Sequence, residues 1–270
     1  MTLTDKEFQL IAQLIYDYSG IHLKPEKKTL MMGRLNSMLS EHKMTSFMDF
    51  YKFVKEDRTG KIISELIDRM TTNHTYFMRE PEHFKYFEKE VIPYLKSHVS
   101  NRDLRIWCAA SSTGEEPYSL AMLLEDNLGN QYPAWDKKLL ATDISVNVLE
   151  KAKHGLYEDE RVSDIPRLWK MNYFSKINAS GYQVKESIKK QVIYRRFNLL
   201  EEVFPFKKKF HVIFCRNVMI YFDQQTKRDL VDKFYKHMEY GGFLFIGHSE
   251  SIDRNHTQFK YIQPAVYRKI

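Results

Sequence analysis

A chain of 270 residues with 43% hydrophobic and 14% aromatic side chains can bury a sizeable core, which excludes a disordered polymer and favours one large domain or two smaller ones. Its 42 Lys and Arg against 35 Asp and Glu leave a formal charge of +7, which predicts affinity for acidic partners without choosing among nucleic acid, an anionic membrane and a protein surface. No apolar run nears the roughly 20 residues that span a bilayer, and MTLTDKEFQL lacks the core of a signal peptide, so a cytoplasmic protein is expected.

From residue 5 to about 72 every periodic segment is helical. Phe8, Ile11, Ile15 and Tyr18 share one face; Thr4 or Asp5 can cap this helix, and Gly20 can end it in a left-handed turn. Met31, Leu35 and Met38 form the apolar side of a second helix, around which Lys24, Lys27, Lys28 and Arg34 cluster as a basic face. On charge alone that face reads as solvated. Phe47, Phe50, Tyr51 and Val54 mark a third helix, and Ile62, Ile63, Leu66, Ile67 and Met70 a fourth. These faces suit packing on one another, which predicts an all-helical domain over residues 1–72.

Residues 72–80, TNHTYFMRE, join this domain to the rest of the chain. Polar Asn73, Thr75 and Arg79 recur there among aromatics, a mixture that predicts packing against a ligand or a sheet mouth. His74 and, further on, His248 read as packing or surface histidines. With no CxxC, no HExxH and no Gly-rich P-loop, neither a metal nor nucleotide triphosphate turnover is expected.

From Pro81 the pattern becomes α/β. Phe84, Phe87, Val91, Ile92 and Leu95 make a helix face, and short apolar strands follow near 104–109, 138–142, 192–197, 210–215 and 242–247. Cys108 and Cys215 each end such a strand, which suits reduced thiols. In RIWCAASSTGEEPYSL, Arg105 to Leu120, buried Ile106 to Ala109 run into a turn kept slim by Ala110, Ser111, Ser112 and Gly114. Glu115 and Glu116 then open a helix with Pro117 in its first turn. That is the layout of a nucleotide-type site at the carboxyl end of a parallel strand, with acids that suit hydroxyls or positive charge better than a pyrophosphate. An ordinary strand, turn and acidic helix start is the plainer alternative.

LLATDIS places Asp143 at the tip of the next strand, where a doubly wound fold holds a ribose-binding acid, although capping of the helix that begins at Ser145 is an equal reading. Between Gly155 and about Gln191 the chain is too long and irregular for a crossover. Asn178, Ser180 and Gly181 as turn residues, and the alternation of Tyr182 and Val184 and then Ile188, Val192 and Tyr194, predict a small antiparallel insertion over about 158–191. It either recognises a partner or decorates the sheet. HVIFCRNVMIYFD is a further buried strand followed by Arg216, Asn217 and Tyr221.

The blocks MTTNHTYFMREPEHF, WCAASSTGEEPYSLAM, ATDISVNVLEKA, FCRNVMIYFD and GGFLFIGHSES, in this order, resemble the CheR family, the S-adenosylmethionine-dependent glutamate methyltransferases of bacterial chemotaxis receptors. The resemblance covers about residues 70–267, and the combination is specific where each block alone is not. It implies a Rossmann-like methyltransferase sheet over residues 73–270, an all-α amino-terminal domain that docks on receptors, and the antiparallel β insertion. The implied cofactor is S-adenosylmethionine, with S-adenosylhomocysteine as product.

By the same resemblance Asn73, Thr75 and Arg79 line the cofactor and substrate side, and Glu116 and Asp143 hold the amino acid and ribose ends, with Ala109 beside them. Asn198 and Leu199 flank the adenine, and Arg216 with Asn217 closes the site. From the residues alone, Asn198 reads as a strand-end turn residue and Tyr221 equally as a core aromatic. The implied reaction is an in-line displacement in which a glutamate carboxylate oxygen attacks the sulfonium methyl. A carboxylate whose free pKa is roughly 4.3 needs no general base at neutral pH. Arg79 orients that carboxylate and Tyr221 donates one hydrogen bond to it. In amino-methylating enzymes the loop after this strand commonly reads Asn-Pro-Pro-Tyr or Asp-Pro-Pro-Tyr; no proline follows Asn217, which counts against nitrogen as the acceptor.

The implied partner is the cytoplasmic helical bundle of a methyl-accepting receptor, met by Lys24, Lys27, Lys28 and Arg34, with the membrane approached only through the receptor. Relatives that tether to a receptor's carboxyl-terminal peptide carry a more glycine-rich hairpin than FSKINASGYQ, so no tether is expected. A monomer that binds no nucleic acid is expected as well. The rivals are an RNA 2′-hydroxyl methyltransferase, which the basic charge allows, and a cofactor-binding adaptor without activity.

Overall fold

The computed structural model describes residues 1–71, 73–129, 135–178 and 181–270; Thr72, at the expected domain boundary, and Ser180, an expected turn residue, lie outside the described residues. The helical domain comprises α1 (Asp5–Ser19), α2 (Lys28–Glu41), α3 (Phe47–Glu56) and α4 (Lys61–Met70). Thr4 and Glu7 cap α1 reciprocally: Thr4 Oγ1 accepts from the Glu7 N–H at 3.3 Å and Glu7 Oε2 accepts from the Thr4 N–H at 2.9 Å. Gly20 ends that helix at φ +72°. Phe8, Ile11, Ile15, Met31, Leu35, Phe50 and Leu66 form one buried core.

The expected helix after Pro81 is a composite: α5 (Pro81–Tyr86) passes through a π turn at Phe87–Val91 into α6 (Ile92–His98). Pro93 explains it, since its ring has no N–H and would strike the carbonyl of Lys89 in an unbroken α-helix. Phe84 and Phe87 from this composite pack on Phe214 of the sheet.

The remaining elements are β1 (Ile106–Ala109), α7 (Glu115–Leu128), β2 (Leu139–Asp143), α8 (Val146–His154), β3 (Leu156–Glu158), α9 (Arg167–Tyr173), β4 (Phe174–Asn178), β5 (Gly181–Val184), α10 (Glu186–Lys189), β6 (Val192–Arg196), β7 (Phe210–Cys215), α11 (Gln224–Lys236), β8 (Met238–Ile246), β9 (Lys260–Gln263) and β10 (Val266–Arg268). The large sheet runs β6-β2-β1-β7-β8-β10-β9. β6, β2, β1, β7 and β8 pair in parallel, and β10 is antiparallel to both its neighbours. The β9–β10 hairpin was not among the expected strands; it is short, and its first strand, KYIQ, has no buried residue to mark it.

β1 lies between β2 and β7, so the connections leave it on both sides and a crevice opens beyond its carboxyl end. On one face of β1, Cys108 packs under α5 to α8; on the other, Trp107 and Ala109 pack with α11. The insertion is a separate sheet of order β3-β5-β4. Ile188, expected on a strand of it, sits in α10, while Val192 and Tyr194 belong to β6 at the edge of the large sheet.

Candidate active site

At the crevice lies a cavity of about 340 Å³, within the range of small-molecule sites. Asn73, Thr75, Arg79, Glu116, Asp143, Asn198, Leu199, Arg216, Asn217 and Tyr221, all nominated from sequence, border it. Ala109 does not: its side chain is fully buried in the core beside Trp107, and Ala110, at φ +66°, forms the wall instead. The strand runs one residue too far for Ala109 to face the crevice. Ser19, the last residue of α1, and Ile21, just past it, close the far side, so the cavity is shared by both domains.

Each polar group is fixed by its local structure. Asp143, at the tip of β2, accepts from the Ser112 N–H at 2.8 Å through Oδ2 and from the Ser145 N–H at 3.0 Å through Oδ1. Burial pushes its carboxyl up to about 6, against those two hydrogen bonds, and the nearby Asp68 charge adds to the rise. The cap of α8 is Ser145, whose Oγ accepts from the Val148 N–H at 3.2 Å, so Asp143 is not used as that helix's cap. Each Asp143 oxygen keeps a lone pair for a ligand hydroxyl.

Glu115 and Glu116, adjacent in the first turn of α7, diverge. Glu115 is wholly buried away from the cavity, and burial raises its carboxyl above the usual range. Glu116 faces Arg216, whose Nη1 donates to Glu116 Oε2 at 2.5 Å while Nη2 donates to Glu80 Oε2 at 2.9 Å and to the Arg79 carbonyl at 2.5 Å. The Arg216 side chain is 1% exposed. Asn217, at φ +58°, donates from Nδ2 to Glu80 Oε1 at 3.1 Å, and its N–H donates to Glu250 Oε2 at 2.9 Å. Glu250 also accepts from the N–H groups of Gly247 at 2.5 Å and Ile220 at 3.2 Å, joining the ends of β7 and β8.

Glu80 and Glu250 are therefore structural members of the site that sequence reading missed. Glu80 lies in MREPEHF and Glu250 in GHSES, both within the quoted blocks, yet nothing local marks a carboxylate that will meet Arg216 or a loop N–H.

Several nominated residues also make structural contacts. Asn198 Nδ2 donates to the Tyr18 carbonyl at 2.6 Å and its Oδ1 accepts from the Leu200 N–H at 3.0 Å, so the amide ties the helical domain to the sheet. Tyr221 packs against the cores of both domains, and its carbonyl accepts from the His22 N–H at 2.8 Å. In the basic group, Lys24 and Lys27 are exposed, whereas Lys28 pairs with Asp5 at 2.5 Å. Arg34 is half-buried and donates to the carbonyls of Met70 at 2.6 Å and Thr71 at 3.3 Å, satisfying the end of α4. Gly114 keeps the turn slim for a packing reason: a Cβ there would lie 2.9 Å from Ala152 Cβ and from the Tyr194 hydroxyl.

An adenosyl sulfonium compound fits these donors and acceptors. Asp143 offers acceptors for ribose hydroxyls, Glu116 for an amine, and Phe197 and Leu199 an apolar wall. Ser111 Oγ, 2% exposed and on the cavity wall, finds no hydrogen-bond partner among the described residues, which leaves a buried hydroxyl open to a ligand.

The switch-point cavity, with one acid at the tip of β2 and another in the first turn after β1, defines a doubly wound nucleoside-binding protein. Residues 6–71 match the family described as CheR methyltransferase, all-alpha domain, and residues 73–268 match CheR methyltransferase, SAM binding domain. The chain belongs to the CheR methyltransferase family, and its larger domain is the one that binds S-adenosylmethionine.

A chemotaxis protein methyltransferase of Borreliella burgdorferi is 40% identical, covering 100% of this chain and 96% of its own, and one of Escherichia coli is 35% identical over 99% and 92%. The solved glycopeptide N-methyltransferase MtfA with S-adenosyl-L-methionine aligns at 13% identity over 59% of this chain and 53% of its own, with a TM-score of 0.33, too loosely to add to that assignment. Among the described residues no helix is long and apolar enough to cross a membrane.

Proposed function

We propose that this chain transfers the methyl group of S-adenosylmethionine to glutamate side-chain carboxylates of bacterial chemotaxis receptors, giving glutamate methyl esters. The observation that carries the reading is the contrast between the two arginines on the cavity wall. Arg216 is buried and committed to Glu116, Glu80 and the Arg79 carbonyl. Arg79 is half-buried, and among the described residues its guanidinium makes one hydrogen bond, from Nη1 to the His74 carbonyl at 2.6 Å. Its Nη2 and Nε stay open to an incoming carboxylate, a group that guanidinium recognises well.

When bound, S-adenosylmethionine supplies a methyl group carried on a positively charged sulfur. Asp143 holds the ribose hydroxyls, Glu116, kept in place by Arg216, accepts the amine end, and Leu199 with Phe197 covers the adenine. Asn73, Thr75 and Asn217 complete the wall, and Asn198 fixes it to α1. Arg79 and Tyr221 then orient the glutamate oxygen. The two carboxylates on this wall are already engaged, Asp143 by two N–H groups and Glu116 by Arg216, which suits a nucleophile that arrives ionised. Holding the partners in line within a closed cavity is then the protein's main contribution.

The names of the relatives as chemotaxis protein methyltransferases support the receptor as substrate. Exposed Lys24 and Lys27 meet the glutamate-rich bundle of the receptor, and the chain acts as a cytoplasmic monomer that reaches the membrane only through that receptor. The insertion takes no receptor tail peptide, and nucleic acid is not a substrate. Tritium transfer from labelled cofactor tests this: a base-labile methyl ester on receptor, lost in Arg79→Ala with cofactor affinity kept, is the expected result. An alkali-stable product, or normal turnover by Arg79→Ala, overturns it.

A further inference from the structure

The insertion touches the cofactor cavity from behind. Arg161, just after β3, donates from Nη1 to the Thr75 carbonyl at 2.6 Å and to Glu115 Oε1 at 3.0 Å. Thr75 lines the cavity, whereas Glu115 is wholly buried and also accepts from Thr113 Oγ1 at 2.7 Å. The Tyr157 hydroxyl on β3 donates to the Thr113 carbonyl, in the turn after β1, at 2.7 Å. Phe77, two residues beyond Thr75, sets its ring edge-on to Tyr157 and Phe174 at centroid distances of 4.9 and 5.5 Å. The insertion thus grips both segments that form one side of the cavity, the 73–80 segment and the β1–α7 turn. Among the described residues, the only cation paired with the buried Glu115 comes from the insertion.

We propose that Arg161 is a positioning residue for the cofactor, and that the insertion, whatever else it binds, is an energetic part of the cofactor site. The inference rests on the S-adenosylmethionine reading of the cavity. Without the guanidinium, the Thr75 carbonyl loses its donor and Glu115 is left as a buried, unpaired acid. The 73–80 segment then samples positions in which Asn73 and Thr75 no longer converge on the cofactor, and ligand binding has to order it.

The test uses the full chain and S-adenosylhomocysteine as probe. Calorimetry should show Arg161→Gln binding about tenfold more weakly, the loss of one charge-assisted contact. Arg161→Lys, which keeps the charge and can reach one acceptor, should recover part of the affinity, and Tyr157→Phe should show a smaller loss. Hydrogen exchange in the ligand-free protein should quicken over 73–80 in Arg161→Gln and stay unchanged along β8. Binding within twofold of wild type in both Arg161→Gln and Tyr157→Phe, or equal losses in Arg161→Gln and Arg161→Lys with unaltered exchange, overturns the inference. Wild-type protein that ignores the probe overturns the cofactor reading itself, a different result from unaffected variants of a wild type that binds.

Discussion

Replacing Arg216 by methionine should unfold the protein more easily by about 3 kcal/mol, the low end of what breaking a buried ion pair costs. Methionine keeps most of the aliphatic volume against Phe84, so the loss is electrostatic and not a cavity. The guanidinium is 1% exposed and bonds two carboxylates, Glu116 and Glu80, whose side chains are 14% and 15% exposed. That residual contact with water, shared by both acids, argues for the low end of the range.

In a domain of this size the loss corresponds to a fall in Tm of roughly 6–12 °C. The deficit should also depend on pH. In the wild type burial pushes the Glu80 carboxyl up, but the Asn217 hydrogen bond and the Arg216 charge outweigh it and hold it below its usual range. Its contribution is therefore present above the ordinary carboxyl pKa and lost as pH falls through the lower folded value. In Arg216→Met burial loses its main electrostatic opponent, so Glu80 takes up a proton more readily and the deficit shrinks between pH 8 and pH 5. Urea denaturation followed by tryptophan fluorescence at both pH values measures this. Adding Glu80→Gln and Glu116→Gln should restore more than half of the loss. A single variant within about 0.5 kcal/mol of wild type at pH 8, where ordinary surface changes fall, or an equal deficit at both pH values, would refute the ion-pair reasoning.

Because the Asp143 carboxyl is pushed up to about 6, affinity for S-adenosylhomocysteine should be level above pH 7 and fall by up to about tenfold per unit below 6. Ribose hydroxyls favour the ionised form, so binding at pH 6 should release a proton, visible as an enthalpy that varies with the buffer; a flat affinity profile from pH 5 to 8 would count against Asp143 as the ribose acid. The same raised pKa means that this carboxyl lowers the stability of the ligand-free fold as pH rises through 6. Reversing Lys24 and Lys27 to Glu, with Lys28 and Arg34 left to their structural partners, should slow receptor methylation several-fold at low salt. Affinity for S-adenosylhomocysteine should not change, and equal loss of both activities would point to misfolding.

What could be read from the linear chain was whatever depends on near neighbours. The apolar spacing of Phe8, Ile11 and Ile15, the reach of Thr4 to Glu7, the left-handed stop at Gly20 and the buried tetrapeptide Ile106 to Ala109 are set within a turn or two of backbone. They were enough to determine the helical domain, the parallel strands and the turns that hold Glu116 and Asp143. Partners far apart in the chain were not legible. The commitment of Arg216 to Glu80, of Asn198 to Tyr18 and of Arg34 to Met70, each across tens to nearly two hundred positions, exists only once separate elements pack. The same holds for Arg161 against Thr75 and for the choice of Ala110 over Ala109 as cavity wall. Periodicity decides which face of an element is buried; which cation neutralises which acid inside the site is decided by where the packed elements bring their side chains together.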